Sequence, residues 1–415
     1  MKLKLARIRS TLSTLALAAL SAQLPAGAQT TVFQHPGVLV SQAQLNYIKA
    51  EVNAHINPFY QEFLDAQNSI YGQSTPYTPL GPYPGGINQC GSNSTPDNGC
   101  SAADQDSATA YVQALLWYIT GNQAYANNAI AIMNAYGHGL QGFAGFSTGI
   151  PCPGASGTCS NAPLQAAWDT TKWPRAAEII RYSNAGWAQA DITAFSNMLT
   201  NVYEPLIYNG SGENGNWELS MIEGMMGIAV FNEDSALLAH AQLYWGQRVP
   251  AYFYYYPIDG NAPAPFPRNT GSTNWNGQSV FNASTSGVAQ ETCRDMKHAH
   301  YGISSAIAAA ETDHIQGGTL YASQQARLIS GLSSTRASMC RDCRIRAQPW
   351  PWRRTCVRAT ATRRKTIRSR WVRATRLSSA ITSSTTGWGS RCRIRRPGLR
   401  RVSCRRRCRW MWTAT

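Results

Sequence analysis

Apolar residues recur every three to four positions through much of the chain, which is the period of an amphipathic helix. Between residues 106 and 120 the apolar stripe consists of Ala110, Ala114, Trp117 and Tyr118, and Gly121 follows as a helix stop signal. Residues 123–136 repeat this pattern. Further helices are predicted at residues 41–67, 174–182, 187–202, 216–231, 234–247, 301–312 and 323–332.

Loops rich in glycine and proline separate the predicted helices, notably at residues 72–100, 137–163 and 257–289. The chain has no pattern typical of parallel strands and no Rossmann or P-loop glycine motif. The predicted fold class is therefore all-α. The run of successive helix pairs favours an α/α toroid, an incomplete barrel of helix hairpins around a central cleft, although the helical period also fits other all-α folds.

The first 28 residues have the pattern of a secretory signal peptide. Four basic residues precede an apolar run at residues 11–24 that is too short to span a membrane comfortably, and Ala26, Gly27 and Ala28 form a small-residue cleavage site. We therefore expect cleavage after Ala28 and a secreted or periplasmic protein. No other stretch is long and apolar enough for a membrane span, so no membrane partner is expected.

Residues 333–415 form a basic tail with 24 Lys and Arg residues and one acid, Asp342. The whole chain has a net charge of +16 and the tail alone +23, so residues 1–332 sum to −7. A basic tail usually indicates nucleic-acid binding. This one is almost all Arg, mixed with Trp and Cys, which is typical of a GC-rich gene read out of frame. We interpret the tail as a frameshift product without packed structure or a nucleic-acid partner, and residues 29–332 as one domain.

Five of the eleven cysteines lie in this domain. Cys90 and Cys100 flank one polar loop and Cys152 and Cys159 flank another, so two local disulfides are expected in an exported protein. Cys293 is left over. Neither pair has a nearby second pair of Cys or His at zinc spacing, so we expect no metal and no cofactor.

Residues 291–301 concentrate polar side chains with different chemistry. On a helix, Glu291, Arg294, His298 and Tyr301 would share one face because they are three or four positions apart. An acid, a cation, an imidazole and a phenol make a poor core, since each buried polar group needs a partner. They suit a site that binds a carboxylate and moves a proton. A hydrogen-bonded network between helices is the alternative.

The predicted loops are rich in aromatic residues, including an unbroken aromatic run at residues 252–256 and several tryptophans. In a secreted all-α protein such rings often line a sugar cleft, where they stack on pyranose faces. Packing between helices is the alternative for a good part of them.

Three segments resemble the alginate lyase domain family of α/α-toroid polysaccharide lyases. They are residues 173–181 (Trp-Pro-Arg-Ala-Ala-Glu-Ile-Ile-Arg), 214–218 (Asn-Gly-Asn-Trp-Glu) and 290–298 (Gln-Glu-Thr-Cys-Arg-Asp-Met-Lys-His). The resemblance covers residues 38–332. It implies cleavage of a uronate polysaccharide by β-elimination, in which the C6 carboxylate is neutralised, a base removes the C5 proton and an acid protonates the departing O4.

The resemblance also implies catalytic roles. In the family an Asn and an Arg hold the carboxylate while a His and a Tyr move protons, which assigns Asn216, Arg294 and Tyr301. Where the family has a His after the Asn, this chain departs from the pattern with Trp-Glu. Either His298 or His300 then takes the histidine role, or the role is absent; His298 is the candidate catalytic histidine. The candidate substrate-binding residues are Trp173, Arg175, Trp217, Glu291 and His300.

Structural roles remain open for several of these residues. Asn216 fits the N-cap of the helix that follows it. Arg294 fits an ion pair with Glu291 or Asp295. Arg175 stands three positions before Glu178, as in a structural bridge lining the cleft.

Two other functions remain open beside the lyase. An α/α-toroid glycoside hydrolase would use two carboxylates, Glu218 with Glu223 or with Glu291. An inactive, truncated product would bind a polyuronate without cleaving it. In each case the expected partner is an anionic uronate polysaccharide and the expected state is a monomer.

Overall fold

The computed structural model describes residues 32–146, 159–213, 215–266 and 274–345, with side chains up to residue 334. Helix makes up 63% of the structure and strand 4%, so the predicted all-α class is confirmed. The predicted signal peptide, Cys152 and residues 346–415 of the predicted tail lie outside the described residues.

The α-helices of the described residues fall into two runs. The first run consists of α1 (Gln42–Asn53), α2 (Phe59–Gln67), α3 (Cys100–Thr120), α4 (Gln123–Gly139), α5 (Ala162–Thr170), α6 (Trp173–Arg181), α7 (Gln189–Met198) and α8 (Glu204–Ile207). The second consists of α9 (Gly215–Asn232), α10 (Ser235–Tyr252), α11 (Tyr256–Asp259), α12 (Met296–Ile315) and α13 (Leu320–Ile345). A π-helical turn, Leu199–Tyr203, joins α7 to α8.

Local signals in the sequence account for the sharpest helix ends. Asn122 caps α4 by accepting a hydrogen bond from the backbone N–H of Ala124. Gly121 ends α3 in the left-handed conformation, with φ 69°, which a glycine adopts without steric cost. Asp234 caps α10 through the N–H groups of Ala236 and Leu237. These caps lie where the sequence predicts helix boundaries.

The helix α9 is the most buried element. Sixteen of its 18 residues are buried, so it has no solvent-facing polar stripe. It packs against α5, α10 and α12. A Cβ atom at Gly224 would lie 2.2 Å from Oγ1 of Thr170, so a glycine there lets α5 approach closely. Side chains on α9 are therefore shielded from water unless they lie at its ends.

A small sheet lies within two of the predicted loops. The strand β1 (Ile87–Cys90) pairs antiparallel with β2 (Asp97–Asn98) and parallel with β3 (Gly142–Phe143), with Gln89 opposite Asn98. The predicted disulfide between Cys90 and Cys100 is confirmed, and it joins the end of β1 to the start of α3. Cys159 is also disulfide-bonded.

The structure corrects several predicted boundaries. The single helix predicted at residues 41–67 is two helices, because Pro58 lacks an N–H donor and restricts the residue before it. No helix is predicted where α5 lies, between the loop predicted at residues 137–163 and the helix predicted at residues 174–182. The helix α12 begins at Met296, before the predicted start. The helix α13 continues past Leu332 to Ile345, into the predicted tail.

Among the described residues, no helix combines the length and the hydropathy needed to cross a bilayer.

Candidate functional site

Glu291 lies just before α12, and its carboxylate accepts four hydrogen bonds. Asn216 donates its side-chain amide to Oε1 at 2.6 Å and its backbone N–H to Oε2 at 3.2 Å. Arg294 donates Nη1 to Oε1 at 3.0 Å, and the hydroxyl of Tyr252 donates to Oε2 at 3.3 Å. Glu291 has no exposed surface. Two of the predicted catalytic residues, Asn216 and Arg294, thus meet on one buried carboxylate oxygen.

Arg294 is the exposed member of this group. About a third of its side chain, 35%, is accessible, whereas the Glu291 carboxylate is fully buried. A guanidinium has five N–H donors, and Nη1 is the one hydrogen-bonded to Glu291. Its Nε also lies 4.0 Å from Asp295. Arg294 is therefore held through Nη1, while about a third of its side chain is accessible to solvent and to an anion.

A second network lies beside the first. Gln290 Oε1 accepts from the backbone N–H of Gly215 at 3.2 Å and from Nη2 of Arg248 at 2.5 Å. Arg248 also pairs with Glu218 at 3.1 Å, and both side chains of that pair are fully buried. Gln290 and Glu291 together bind the first two N–H groups of α9, donors that have no partner within a helix. The start of α9 is capped from a segment 75 residues away in sequence.

Tyr301 lies on α12, half-buried, in an aromatic and charged setting. Its ring packs against Trp168 of α5, with 5.6 Å between ring centroids, and lies 6.5 Å from the His298 ring. Burial raises the pKa of the Tyr301 phenol, and the charges of Asp104 and Asp295 raise it further. The phenol therefore carries its proton at neutral pH, as a general acid requires.

His298 is held by Asp295 at the start of α12. Its Nδ1 lies 2.6 Å from Oδ2 of Asp295, and the other oxygen of that carboxylate accepts the backbone N–H of His298. Burial would raise the pKa of Asp295, but these hydrogen bonds outweigh it and lower that pKa. In the neutral tautomer that donates Nδ1–H to Asp295, the imidazole has its lone pair on Nε2, where a base needs it.

A line of polar contacts runs between α9 and α12. The hydroxyl of Ser220 donates to the carbonyl of Asn216 at 2.9 Å and lies 3.1 Å from the hydroxyl of Ser305. One turn further, Glu223 forms an ion pair with Arg175, and both side chains are nearly buried. This line connects the region of Glu291 with that of Arg175, and it runs between the helices that carry Asn216 and Tyr301.

The predicted helical stripe is wrong in its geometry. Because α12 begins at Met296 with Asp295 as its N-cap, Glu291 and Arg294 lie in turns before the helix and do not share a helical face with Tyr301. The residues still come near each other in two pairs, Glu291 with Arg294 and His298 with Tyr301.

Burial argues against substrate contact by two of the predicted substrate-binding residues. Trp173 has no exposed surface, packs against Tyr136 and Phe195, and donates to the Tyr203 hydroxyl at 3.1 Å. A ring without exposed surface does not stack on a sugar, so the burial of Trp173 argues against this role. Glu291 is equally buried, with both oxygens bonded to protein donors, which also argues against direct contact with substrate.

The other predicted residues lie as follows. Asn216 is 1% exposed and lies inside α9, so it is neither the expected N-cap nor open to a large ligand. Arg175 pairs with Glu223, whereas Glu178 accepts from His35 at 2.9 Å, so the expected Arg175–Glu178 bridge is not formed. His300 lies buried on α12, 6% exposed, which argues against substrate contact.

Trp217 lines a cavity of about 320 Å³ at the start of α9. The cavity is bounded by small and apolar residues together with Glu213, which is exposed. Residues 216 and 217 differ by about 100° around the helix, so Trp217 lies on a different side of α9 from Asn216. A role of Trp217 in binding substrate stays a prediction.

The aromatic run contributes mostly to packing. Tyr252, Phe253 and Tyr254 are buried, whereas Tyr256 is exposed. For the three buried rings, burial favours the alternative of packing between helices. The half-buried ring beside Tyr301 belongs to Trp168, on a helix that was not predicted.

Sequence reasoning missed the partners that organise the site. Tyr252 and Arg248 on α10 approach the start of α9 through packing of distant segments, so no local pattern indicates their role. Among the described residues, no group of three or more His, Cys, Asp or Glu side chains is arranged to hold a metal ion. Comparison with protein families, with curated proteins and with solved structures yields no match to this chain.

Proposed function

We propose that this chain is an exported polysaccharide lyase that cleaves a uronate polysaccharide by β-elimination. The observation that carries the proposal is the position of Arg294. Its guanidinium donates Nη1 to Glu291 and its side chain is 35% exposed, just before the helix that carries His298 and Tyr301. A bidentate cation beside a base and a phenol is the chemistry that elimination next to a carboxylate requires.

In the proposed mechanism, Arg294 pairs with the C6 carboxylate of a uronate and makes its C5 proton more acidic. The Nε2 of His298 takes the C5 proton, and the electrons form the C4–C5 double bond as the C4–O4 bond breaks. Tyr301 gives its phenolic proton to O4. The proton on His298 then passes to Tyr301 or to solvent, which restores both groups.

We propose an α/α toroid as the arrangement of the helices. Two-residue connections join α3 to α4 and α9 to α10, and such short connections make consecutive helices antiparallel neighbours. The Cys90–Cys100 disulfide supports export, because disulfides persist in oxidising compartments. The charge of −7 over residues 1–332 is compatible with a polyanionic substrate, since Arg294 and Lys297 set the local potential.

A glycoside hydrolase is less well supported. Its catalytic carboxyl groups must reach the glycosidic oxygen and a water or sugar carbon. Glu218, Glu223 and Glu291 are 0%, 7% and 0% exposed, and each is paired with an arginine. The three candidate carboxylates for hydrolysis are therefore buried in ion pairs with arginines.

The decisive experiment is an assay of the purified chain on alginate, polymannuronate, polyguluronate and glucuronan without added metal. β-Elimination is expected to generate an unsaturated product whose double bond absorbs in the ultraviolet. Reducing sugar without that absorbance would instead indicate hydrolysis. Binding to a polyuronate without either signal would indicate an inactive binding protein. Either of these results, or the absence of any response, would refute the proposed lyase.

Replacing Arg294 by Lys is expected to remove most of the activity, by about 10-fold or more, because an ammonium cannot reproduce a planar bidentate fork. Stability should change little, since Arg294 is partly exposed. Initial rates and thermal unfolding of the variant provide the measurement. Lys297→Arg, three positions along the chain, is the matched control and should retain activity. A variant that unfolds, with full turnover in its folded fraction, would make Arg294 purely structural.

A further inference from the structure

The burial of Glu291 needs a physical explanation. A carboxylate without exposed surface loses its hydration, and the cost is large unless donors replace the lost water. Here the donors are two groups of Asn216, the hydroxyl of Tyr252 and the guanidinium of Arg294. Each carboxylate oxygen has two donors, so the group is well compensated in its place.

The donors come from three different elements. Asn216 belongs to the start of α9 and Tyr252 to the end of α10, and both are fixed by burial. Arg294 belongs to the turn before α12 and is the one donor residue that reaches solvent. The carboxylate therefore connects two buried residues, Asn216 and Tyr252, to one partly exposed arginine. Side-chain entropy makes an exposed arginine adopt many conformations unless a partner limits them.

The neighbouring network, which consists of Gln290, Arg248 and Glu218, does not reach solvent. Gln290 and Arg248 also bind the start of α9, but Arg248 is fully buried and ends in the pair with Glu218. That network holds α9 and presents nothing to solvent. The two networks therefore differ in one respect. The network of Glu291 includes the partly exposed Arg294, whereas the network of Gln290 ends in the buried Arg248.

We propose that Glu291 is a positioning residue that fixes the Arg294 guanidinium so that its outer edge faces the substrate carboxylate. Asn216 and Tyr252 hold Glu291 in turn and do not touch the substrate. The final step, contact between Arg294 and a uronate, rests on the proposed function. The positioning of Arg294 itself rests on the contacts alone, and the buried charge of Glu291 also contributes to raising the pKa of Tyr252, after burial.

A double-mutant cycle tests the positioning in the active protein. Glu291→Gln is expected to lower kcat/KM by about 10²-fold, the effect of displacing a positioned group by roughly an ångström. In the Arg294→Lys background the same change should have little further effect, because the group that it positions is already gone. Effects that multiply would show that Glu291 acts independently of Arg294 and would overturn the inference.

A second measurement does not depend on activity. Phenylglyoxal modifies accessible guanidinium groups, and peptide mapping reports the rate at Arg294. Glu291→Gln is expected to raise that rate several-fold, whereas Glu218→Gln, which removes a buried carboxylate from the neighbouring network, should leave it unchanged. Equal rates in the wild type and in Glu291→Gln would refute the positioning. If the wild type cleaves no polyuronate, the proposed function fails and this measurement still decides the role of Glu291.

If Glu291→Gln does not fold, as judged by circular dichroism, Glu291→Asp takes its place. The shorter side chain keeps the charge but withdraws the carboxylate by one methylene, so it should loosen Arg294 and raise the labelling rate. An unchanged rate in folded Glu291→Asp would overturn the inference in the same way.

Discussion

Tyr301→Phe is expected to lower kcat on the responsive polyuronate by about 10²- to 10⁴-fold, which is the usual effect of removing one proton-transfer group. The substitution removes the phenolic oxygen and leaves the ring, so the packing against Trp168 should persist. Substrate binding and thermal stability should therefore change little. Steady-state kinetics, with thermal unfolding as the check on folding, provide the measurement.

Tyr118→Phe is the matched control for this prediction. Tyr118 lies on α3, where its hydroxyl donates to Asn46 at 2.6 Å, and neither residue belongs to the proposed site. The same chemical change there should leave turnover intact. Near-normal activity in Tyr301→Phe would exclude the phenol as the acid and would move the proton transfer to His298 alone.

The pH dependence adds a test with a defined sign. Burial raises the pKa of Tyr301, and the negative charge of Asp104 raises it further. If Tyr301 is the acid, activity falls when pH rises through this pKa. Asp104→Asn removes one negative charge, so it lowers that pKa and should shift the alkaline limit of activity to lower pH. A shift to higher pH would contradict the assignment.

The largest expected effect on stability comes from Arg248. Its ion pair with Glu218 is fully buried on both sides, and its guanidinium also lies 4.7 Å from the centre of the Phe266 ring. Arg248→Met leaves the buried carboxylate of Glu218 without its cationic partner. Breaking a buried pair in this way costs about 3–5 kcal/mol of unfolding free energy. Urea unfolding followed by circular dichroism measures it.

The loss should depend on pH in a defined direction. Burial raises the pKa of Glu218, and Arg248 is the main group that opposes this, so the variant should raise that pKa further. A group whose folded pKa exceeds its unfolded value stabilises the fold below the unfolded pKa, and this contribution is lost as pH rises. Arg248→Met should therefore be less destabilised in mild acid than at neutral pH.

Two further variants serve as comparisons for Arg248→Met. Removing both charges, in Arg248→Met with Glu218→Gln, should recover much of the lost stability, because the buried charge without a partner is gone. Lys172→Met breaks a pair with Asp104 that is half-exposed on one side, and it should cost no more than about 1 kcal/mol. An Arg248→Met variant as stable as Lys172→Met would show that the buried pair contributes little.

The sequence by itself determined the helical class and several helix boundaries. The apolar period and the local caps, such as Asn122 before α4 and Asp234 before α10, depend on residues within a few positions of each other. The disulfide between Cys90 and Cys100 was also predictable, because its two cysteines flank one short loop. The exposed Arg294 and its contact with Glu291 were also within reach of sequence spacing, as an interaction three positions apart.

Other features of the sequence predicted a geometry that the structure does not have, and the reason is physical. The spacing of Glu291, Arg294, His298 and Tyr301 fits a helix, but Asp295 caps α12 and begins the helix only after the first two residues. Trp173 belongs to a motif that resembles a lyase segment, yet its ring is buried among Tyr136 and Phe195. Spacing reports which residues are able to share a face, and packing decides which of them reach solvent.

Only the tertiary structure decided what surrounds the site. Asn216 and Glu291 are 75 residues apart, and Trp168 meets Tyr301 across two helices. Such contacts arise because α9 packs against α5, α10 and α12, and a periodic pattern carries no information about which helices become neighbours. The chemical groups of the site are given by the identity of single residues. Their geometry follows from the burial of α9, because the packing around this helix brings distant segments to the carboxylate of Glu291.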